Sequence, residues 1–218
     1  MSEKNLMKYY PRSKKPLSVR LNITEEDRFI ARQFDKDYFD GDRRHGYGGY
    51  YYHPRFWTDT VKYIKNYYNL SDNASILDIG CGKGFFLHDF EIALPETLLI
   101  GIDISRYACE HAIEDIRPFL IQGNTTNLPF PDKSFDLVTA INTIHNLPFE
   151  DCKKAISEIQ RVSKKHAFIV VDAWRNDEEQ KQHEKWVLTC ETAMHVDDWS
   201  NLFDAIGYSG DYFWTFTD

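Results

Sequence analysis

Cysteine is scarce and scattered. Cys81, Cys109, Cys152 and Cys190 form no CxxC pair, so their spacing points to neither a zinc ribbon nor an iron–sulfur site. His183 and His195 have no metal-like spacing with each other, and no metal is expected. No apolar run approaches the roughly 20 residues that a membrane span needs. The opening MSEKNLMKYYPRSKK lacks the apolar stretch of a signal peptide. The expectation is a cytoplasmic chain with free thiols and no membrane partner. Positive charge is also short: 26 Lys and Arg against 34 Asp and Glu leave a formal net charge of −8. Phosphate contacts need clustered cations, so no nucleic-acid partner is expected. One local exception is Lys4, Lys8, Arg12, Lys14, Lys15 and Arg20, read as a solvated, loosely held arm.

What is present suits one globular unit. The chain has 218 residues, 42% of them hydrophobic, enough to bury a core. From about residue 73, apolar strand-like runs alternate with helical patterns. Strands are expected at 75–79, 98–104, 119–123, 135–141 and 166–174. Helices are expected at 84–94, 105–116, 151–163 and 197–208. Runs that are apolar throughout indicate strands buried on both faces. Their alternation with helices indicates an α/β, Rossmann-like, doubly wound and mostly parallel sheet. Residues 1–72 read as an arm and helices (22–34, capped by Thr24 or Asn22, and 54–68, with Pro54 in its first turn) preceding a core at 73–218.

The chemistry concentrates in ILDIGCGKGFF (76–86). Gly80, Gly82 and Gly84 sit between a strand and a helix, where the backbone can turn tightly and helix N–H groups can meet a ligand. A Walker loop would need GxxxxGK[ST] and a dinucleotide fingerprint GxGxxG; neither is present. Asp78, two residues before the first glycine, would oppose a pyrophosphate but suits a ligand carrying an ammonium group. Asp103, ending the second strand, can accept from two ribose hydroxyls.

Read jointly, DIGCGKG, GIDIS, QGN and LPFPDKSFDLV resemble the class I S-adenosylmethionine-dependent methyltransferases, in particular small-molecule enzymes of the type 11 group. The resemblance runs from about Ser75 to Val171. It implies S-adenosylmethionine as cofactor, with S-adenosylhomocysteine as product. It further implies that Gly80, Cys81 and Gly82 pass the methionine moiety and that Asp78 orients its amino group. Asp103 would hold the ribose and Ile104 would pack on adenine. Asn124 and Thr125 would sit at the adenine edge, and Asn142 would line the site with its backbone. Family members usually carry aspartate at position 124, and they generally end in an antiparallel strand pair, for which this tail has room for one clear strand. Amino-methyltransferases of nucleic-acid adenine show N/D-P-P-Y/F after the fourth strand; Asn142-Thr143-Ile144-His145 differs and points toward a small-molecule acceptor, either a sugar hydroxyl or a small amine.

His145, in the loop expected to face the transferred methyl, is the candidate base, or else a residue that orders that loop. Trp174 is a substrate wall or core. DGDRRHGYGGYYYHPRFW (40–57) reads as a lid: its glycines allow motion, and Tyr47, Tyr50, Tyr51 and Tyr52 offer apolar faces that can stabilise a cation. His53 could bond a substrate. The alternative is that the tyrosines cover the sheet edge while Arg43 and Arg44 stay solvated. A non-catalytic cofactor-binding protein, or more remotely an NAD-dependent oxidoreductase, are the rival functions. The sequence leaves a homodimer open.

Overall fold

The computed structural model describes residues 1–11 and 22–217. The strands are β1 (Ser2–Glu3), β2 (Ser75–Ile79), β3 (Leu98–Asp103), β4 (Leu120–Gln122), β5 (Phe135–Ile141), β6 (Ser163–Trp174), β7 (Met194–His195) and β8 (Asp211–Thr215). Their order across the sheet is β1-β8-β6-β5-β2-β3-β4, with β7 added beside the end of β6. Every pairing among the described residues is parallel.

The apolar strands divide their side chains between two cores, as the period of two requires. Leu77, Ile79, Val138, Ala140, Ile169 and Val171 face one side. There they meet Ala155, Ile156 and Ile159 of α6 (Phe149–Val162) and, beyond α7 (Asp177–Trp186), Trp199 and Phe203 of α8 (Val196–Ile206). Ile76, Leu137, Phe168 and Val170 face the other, against Val61 and Ile64 of α3 (Pro54–Tyr68) and Phe86, Leu87 and Phe90 of α4 (Phe85–Ala93). Burial on both faces explains why these strands read as continuous apolar runs.

Helix boundaries follow local chemistry. In α1 (Glu25–Ala31), Thr24 is the cap: its side chain accepts from the Asp27 N–H while the Asp27 carboxylate accepts from the Thr24 N–H, a capping box. The short α2 (Lys36–Phe39) is capped by Asp35, and α3 has Pro54 in its first turn. The helix α5 (Arg106–Glu110) is shorter than the expected span of 105–116. Beyond it the Ile113 N–H donates to the Lys83 carbonyl, 3.1 Å away, rather than back along the helix. That turn seats Ile116, fully buried, against the glycine loop. Tertiary packing overrides helical periodicity there.

One expectation at the chain's ends is corrected, and one departure from the family pattern is seen. The start of the basic arm is not loose. β1 pairs with β8, Ser2 Oγ donates to Asp211 at 2.6 Å, and Leu6 is 1% exposed in the same core as Val61. Lys8 lies 3.7 Å from the ring centre of Tyr63. Arg12, Lys14, Lys15 and Arg20 lie outside the described residues. At the other end the tail forms the one clear strand for which it has room, and no antiparallel pair is present among the described residues. β8 docks directly on β6 in parallel, Phe168 opposite Asp211. The segment 186–196 contributes only β7, opposite Ala173 and Trp174. No described helix is long and apolar enough to cross a membrane.

Candidate active site

β2, β3 and β5 end side by side, Ile79 opposite both Ile102 and Ala140. This carboxyl edge carries the glycine loop. Gly80 has φ +69°, and a Cβ there would lie 2.2 Å from the Thr143 side chain. Position 80 therefore tolerates only glycine, on both backbone and steric grounds. Gly84, at φ +77°, is the N-cap of α4 and packs on Ile116; it shapes the loop from behind and does not line the cavity described next.

A cavity of about 330 Å³ opens above this loop. Its sheet-side wall holds Asp78, Gly80, Cys81, Gly82, Asp103, Ile104, Asn124, Thr125 and Asn142. Asp103 is 7% exposed. Its oxygens accept from the Ser105 and Gly82 N–H groups, each at 2.8 Å, so the carboxylate is fixed with lone pairs to spare. Burial raises its pKa, against those two bonds. Asp78 accepts from the Thr139 hydroxyl at 2.7 Å, its register neighbour on β5. Burial pushes its pKa up to about 7; the Thr139 bond opposes this and the Asp103 charge adds to it. Ile104 leaves 55% of its surface bare in this wall, an exposed apolar side chain.

Asn124 differs from expectation in detail. Its Oδ1 already accepts from the Thr126 N–H at 2.9 Å and hydroxyl at 3.0 Å. An N–H can only donate, so this atom is the oxygen, and the amide nitrogen remains as the free donor among the described residues. Asn142 has its Oδ1 bonded to Thr215 at 2.7 Å and a left-handed φ of 52°.

The opposite wall comes from the segment preceding β2: Met7, Tyr10, Arg32, Phe34, Tyr38, Phe39, Tyr47, Tyr50 and Trp57. The rings interlock, Tyr47 on Tyr50 at 4.3 Å and Tyr10 on Trp57 at 4.6 Å. A Cβ on Gly82 would meet Tyr50 at 3.3 Å, so Tyr50 lies directly over the glycine loop. Of the lid tyrosines named from sequence, Tyr47 and Tyr50 line the cavity. Tyr51 is 75% exposed outside it, Tyr52 packs on Phe85 and His88, and His53 caps α3 by accepting the Arg55 N–H. Met7, Tyr10, Arg32, Phe34, Tyr38 and Phe39 were not legible as site residues. They sit in an arm read as solvated, in the last turn of α1 and beyond it, and in a helix of four residues. The one signal was their aromatics, which fit no helical face.

Two ion pairs fasten this wall. Arg44 forks onto the buried Asp27 at 2.6 and 2.7 Å, tying the loop to α1 instead of staying solvated. The Arg44 bonds, then the Thr24 bond, hold the Asp27 carboxyl well below the usual range. Lys83, inside the glycine loop and 5% exposed, meets Asp40 at 2.6 Å. Asp40 also accepts from the Tyr107 hydroxyl at 2.7 Å and the Tyr50 N–H at 3.0 Å. Burial would raise its pKa, but Lys83 and these donors hold it low.

His145 and Trp174 are not brought to the cavity. His145 is 4% exposed behind the loop. Its Nδ1 accepts the Asp172 N–H at 3.0 Å, and its carbonyl accepts the Glu191 and Thr192 N–H groups at 2.9 Å. Burial depresses its basicity; Asp172 opposes this and His183 adds to it. This placement corrects the expectation of a base at the methyl and matches the loop-ordering alternative. The His145, Asp172 and Cys190 side chains lie within 4.8 Å of one another. With Nδ1 accepting, the ring proton sits on Nε2, which turns a donor, not a lone pair, toward that group. The Trp174 ring lies 5.8 Å from that of His183, as packing.

A profile of the methyltransferase domain matches residues 77–171. The demethylmenaquinone methyltransferase of Lactiplantibacillus plantarum is 38% identical over 114 residues, 47% of this chain and 46% of that protein. Residues 77–171 are a class I S-adenosylmethionine-dependent methyltransferase domain. Its cofactor is S-adenosylmethionine. A tRNA (carboxymethyluridine(34)-5-O)-methyltransferase of Arabidopsis thaliana is 29% identical over 145 residues, 66% of this chain and 33% of that protein. The crystal structure of YcgJ from Bacillus subtilis shares the fold, with TM-score 0.55 at 23% identity over 67% of this chain and 66% of that one. The chain thus spans about half or less of the curated relatives named.

Proposed function

We propose that this methyltransferase domain acts on a small molecule enclosed between the sheet edge and the aromatic wall, by in-line transfer to an oxygen or nitrogen. The observation that carries this reading is the single cavity: the cofactor-binding carboxylates and the lid aromatics Tyr10, Tyr47 and Tyr50 line one space. When bound there, S-adenosylmethionine supplies an electrophilic methyl on a sulfonium. The residues fit it. Asp103 is held ready for two hydroxyls, Ile104 offers a bare apolar face to a flat base, and Asp78 offers a carboxylate to an ammonium group. The free amide N–H of Asn124 suits a ring nitrogen of adenine better than its exocyclic amine. The aromatic faces favour a cation nearby and exclude water. A tRNA acceptor, as named for the plant relative, is disfavoured by the net charge of −8 and by a cavity wall built of aromatic side chains with one cation among the described lining residues.

The test is calorimetric titration with S-adenosylmethionine, S-adenosylhomocysteine and NAD, followed by methyl transfer from labelled cofactor to a small-molecule panel and to tRNA. Micromolar binding of the first two, silence from NAD and label on a small molecule support the reading. Label on tRNA alone refutes it. Tight binding with no transfer to any acceptor would instead favour a non-catalytic cofactor-binding protein.

Affinity for S-adenosylmethionine should depend on pH through Asp78. In the free protein its pKa is about 7; opposite an ammonium group it must be lower, so binding releases a proton. Affinity should therefore weaken below pH ~7, approaching about tenfold per pH unit. Titration between pH 5.5 and 8.5 checks this. Asp78→Asn should bind more weakly and lose most of the slope; an unchanged slope would assign the proton elsewhere.

A further inference from the structure

We propose that the methyl acceptor is a small aromatic acid, held by its carboxylate on Arg32 and bearing an O–H or N–H that donates to the Asn146 amide oxygen. This rests on the small-molecule reading above and narrows it.

Arg32 is the sole cation among the described residues lining the cavity. Its nearest carboxylate, Glu191, stands at 3.8 Å, too long for a hydrogen bond. Two other arginines, by contrast, fork onto carboxylates: Arg44 onto Asp27 at 2.6 and 2.7 Å, and Arg161 onto Glu158 at 2.6 and 2.7 Å. The Arg32 side chain makes no hydrogen bond among the described residues, and only its backbone is used, as the C-cap of α1. The same cavity is lined by Phe34, Tyr38, Tyr10 and Trp57, whose aromatic faces fit a flat ring. A guanidinium with unfilled donors beside apolar surface selects a planar anion that it can grip with two parallel bonds.

Asn146 supplies an independent observation. It lines the same cavity, and its Oδ1 is buried with no partner among the described residues. Its amide nitrogen points at the Asn142 carbonyl, 3.5 Å away, which fixes the orphan atom as the oxygen. An orphan acceptor in an enclosed wall is costly unless a ligand donates to it. An acceptor hydroxyl or amine would do so, leaving a lone pair to attack. In that step the lone pair forms the new O–C or N–C bond to the methyl. The C–S bond breaks, its electron pair stays on sulfur as a neutral thioether, and the attacking atom releases its proton to water.

The experiment uses the full chain saturated with S-adenosylhomocysteine. Hydroxybenzoates, aminobenzoates and their bicyclic analogues are titrated in, each beside its neutral primary amide. At least one acid should bind about 100-fold more tightly than its amide, the worth of one charge-assisted bidentate pair. Arg32→Met should abolish that ratio by weakening the acid alone, leaving the amide and S-adenosylhomocysteine affinities unchanged. Arg32→Lys should recover part of it. Asn146→Ala should weaken acids with an ortho, meta or para O–H or N–H, and leave benzoate itself unaffected. Acids no better than amides, no acid binding at all, or an acid-to-amide ratio untouched by Arg32→Met would overturn the proposal. Failure of S-adenosylhomocysteine to bind would instead strike the reading beneath it, and transfer to neutral sugars or amines with a ratio near one would leave that reading standing.

Discussion

Asp103→Ala is expected to weaken S-adenosylmethionine binding at least 100-fold. The carboxylate closes β3, is 7% exposed, and offers lone pairs beyond those used by the Gly82 and Ser105 N–H groups. Each hydrogen bond from a ribose hydroxyl to a charged acceptor contributes about 1.5–3 kcal/mol, and two together give a factor of about 100 or more. The substitution also strips Gly82 of its acceptor, so the glycine loop loses a tether. Asp103→Asn keeps the volume and one accepting oxygen, but it turns an amide N–H donor toward one of the two backbone N–H groups held by separate carboxylate oxygens. It should therefore lose part of the stability lost in Asp103→Ala, with affinity still falling by about tenfold or more. Calorimetric titration of both variants, beside their melting curves, checks this. Wild-type affinity in Asp103→Ala would remove the residue from the ribose site.

The carboxylates and glycines of this wall were legible because their chemistry is local. Strand, tight turn, helix and an acid at the next strand end are fixed by residue type at short spacing, and β2 through β6 follow from apolar runs that only a doubly covered sheet can bury. The facing wall was not legible, because it is assembled from segments far apart in sequence. Tyr10 belongs to a stretch whose lysines suggested solvent, yet Leu6 and β1 anchor it. Arg32 and Phe34 lie at and just past the end of a helix, and carry no motif. His145 shows the reverse error: its loop was placed correctly at the end of β5, but sequence does not say which way a ring points. The Asp172 N–H, contributed from the neighbouring strand, turns it away from the cavity. The early end of α5 has the same cause, a long-range hydrogen bond to Lys83 that no local propensity encodes.

Asp40→Asn should be the most destabilising single change in the lid. It leaves the Lys83 ammonium, 6% exposed, without a counter-charge. Breaking a buried pair from one side costs about 3–5 kcal/mol; Asp40 keeps a 15% window to solvent, so about 3 kcal/mol is expected. For a chain of this size that is a fall of about 6–12 °C in melting temperature. Lys83→Met should cost less, since the Asp40 carboxylate keeps its bonds from the Tyr107 hydroxyl and the Tyr50 N–H. The double variant should return to within about 1 kcal/mol of wild type, because replacing both charges removes the desolvation along with the attraction. Asp40 has a lowered pKa. The stability that it contributes is therefore present above the unfolded carboxylate value and lost as pH falls through the folded one, so the wild-type advantage over Asp40→Asn should hold at neutral pH and shrink in acid. The ion pair also joins the aromatic wall to the glycine loop. The double variant, stable but unlatched, should therefore bind S-adenosylmethionine several-fold more weakly than wild type. Additive single costs would show that Lys83 and Asp40 act independently. A stable double variant with unchanged cofactor affinity would show that the pair supports the fold alone.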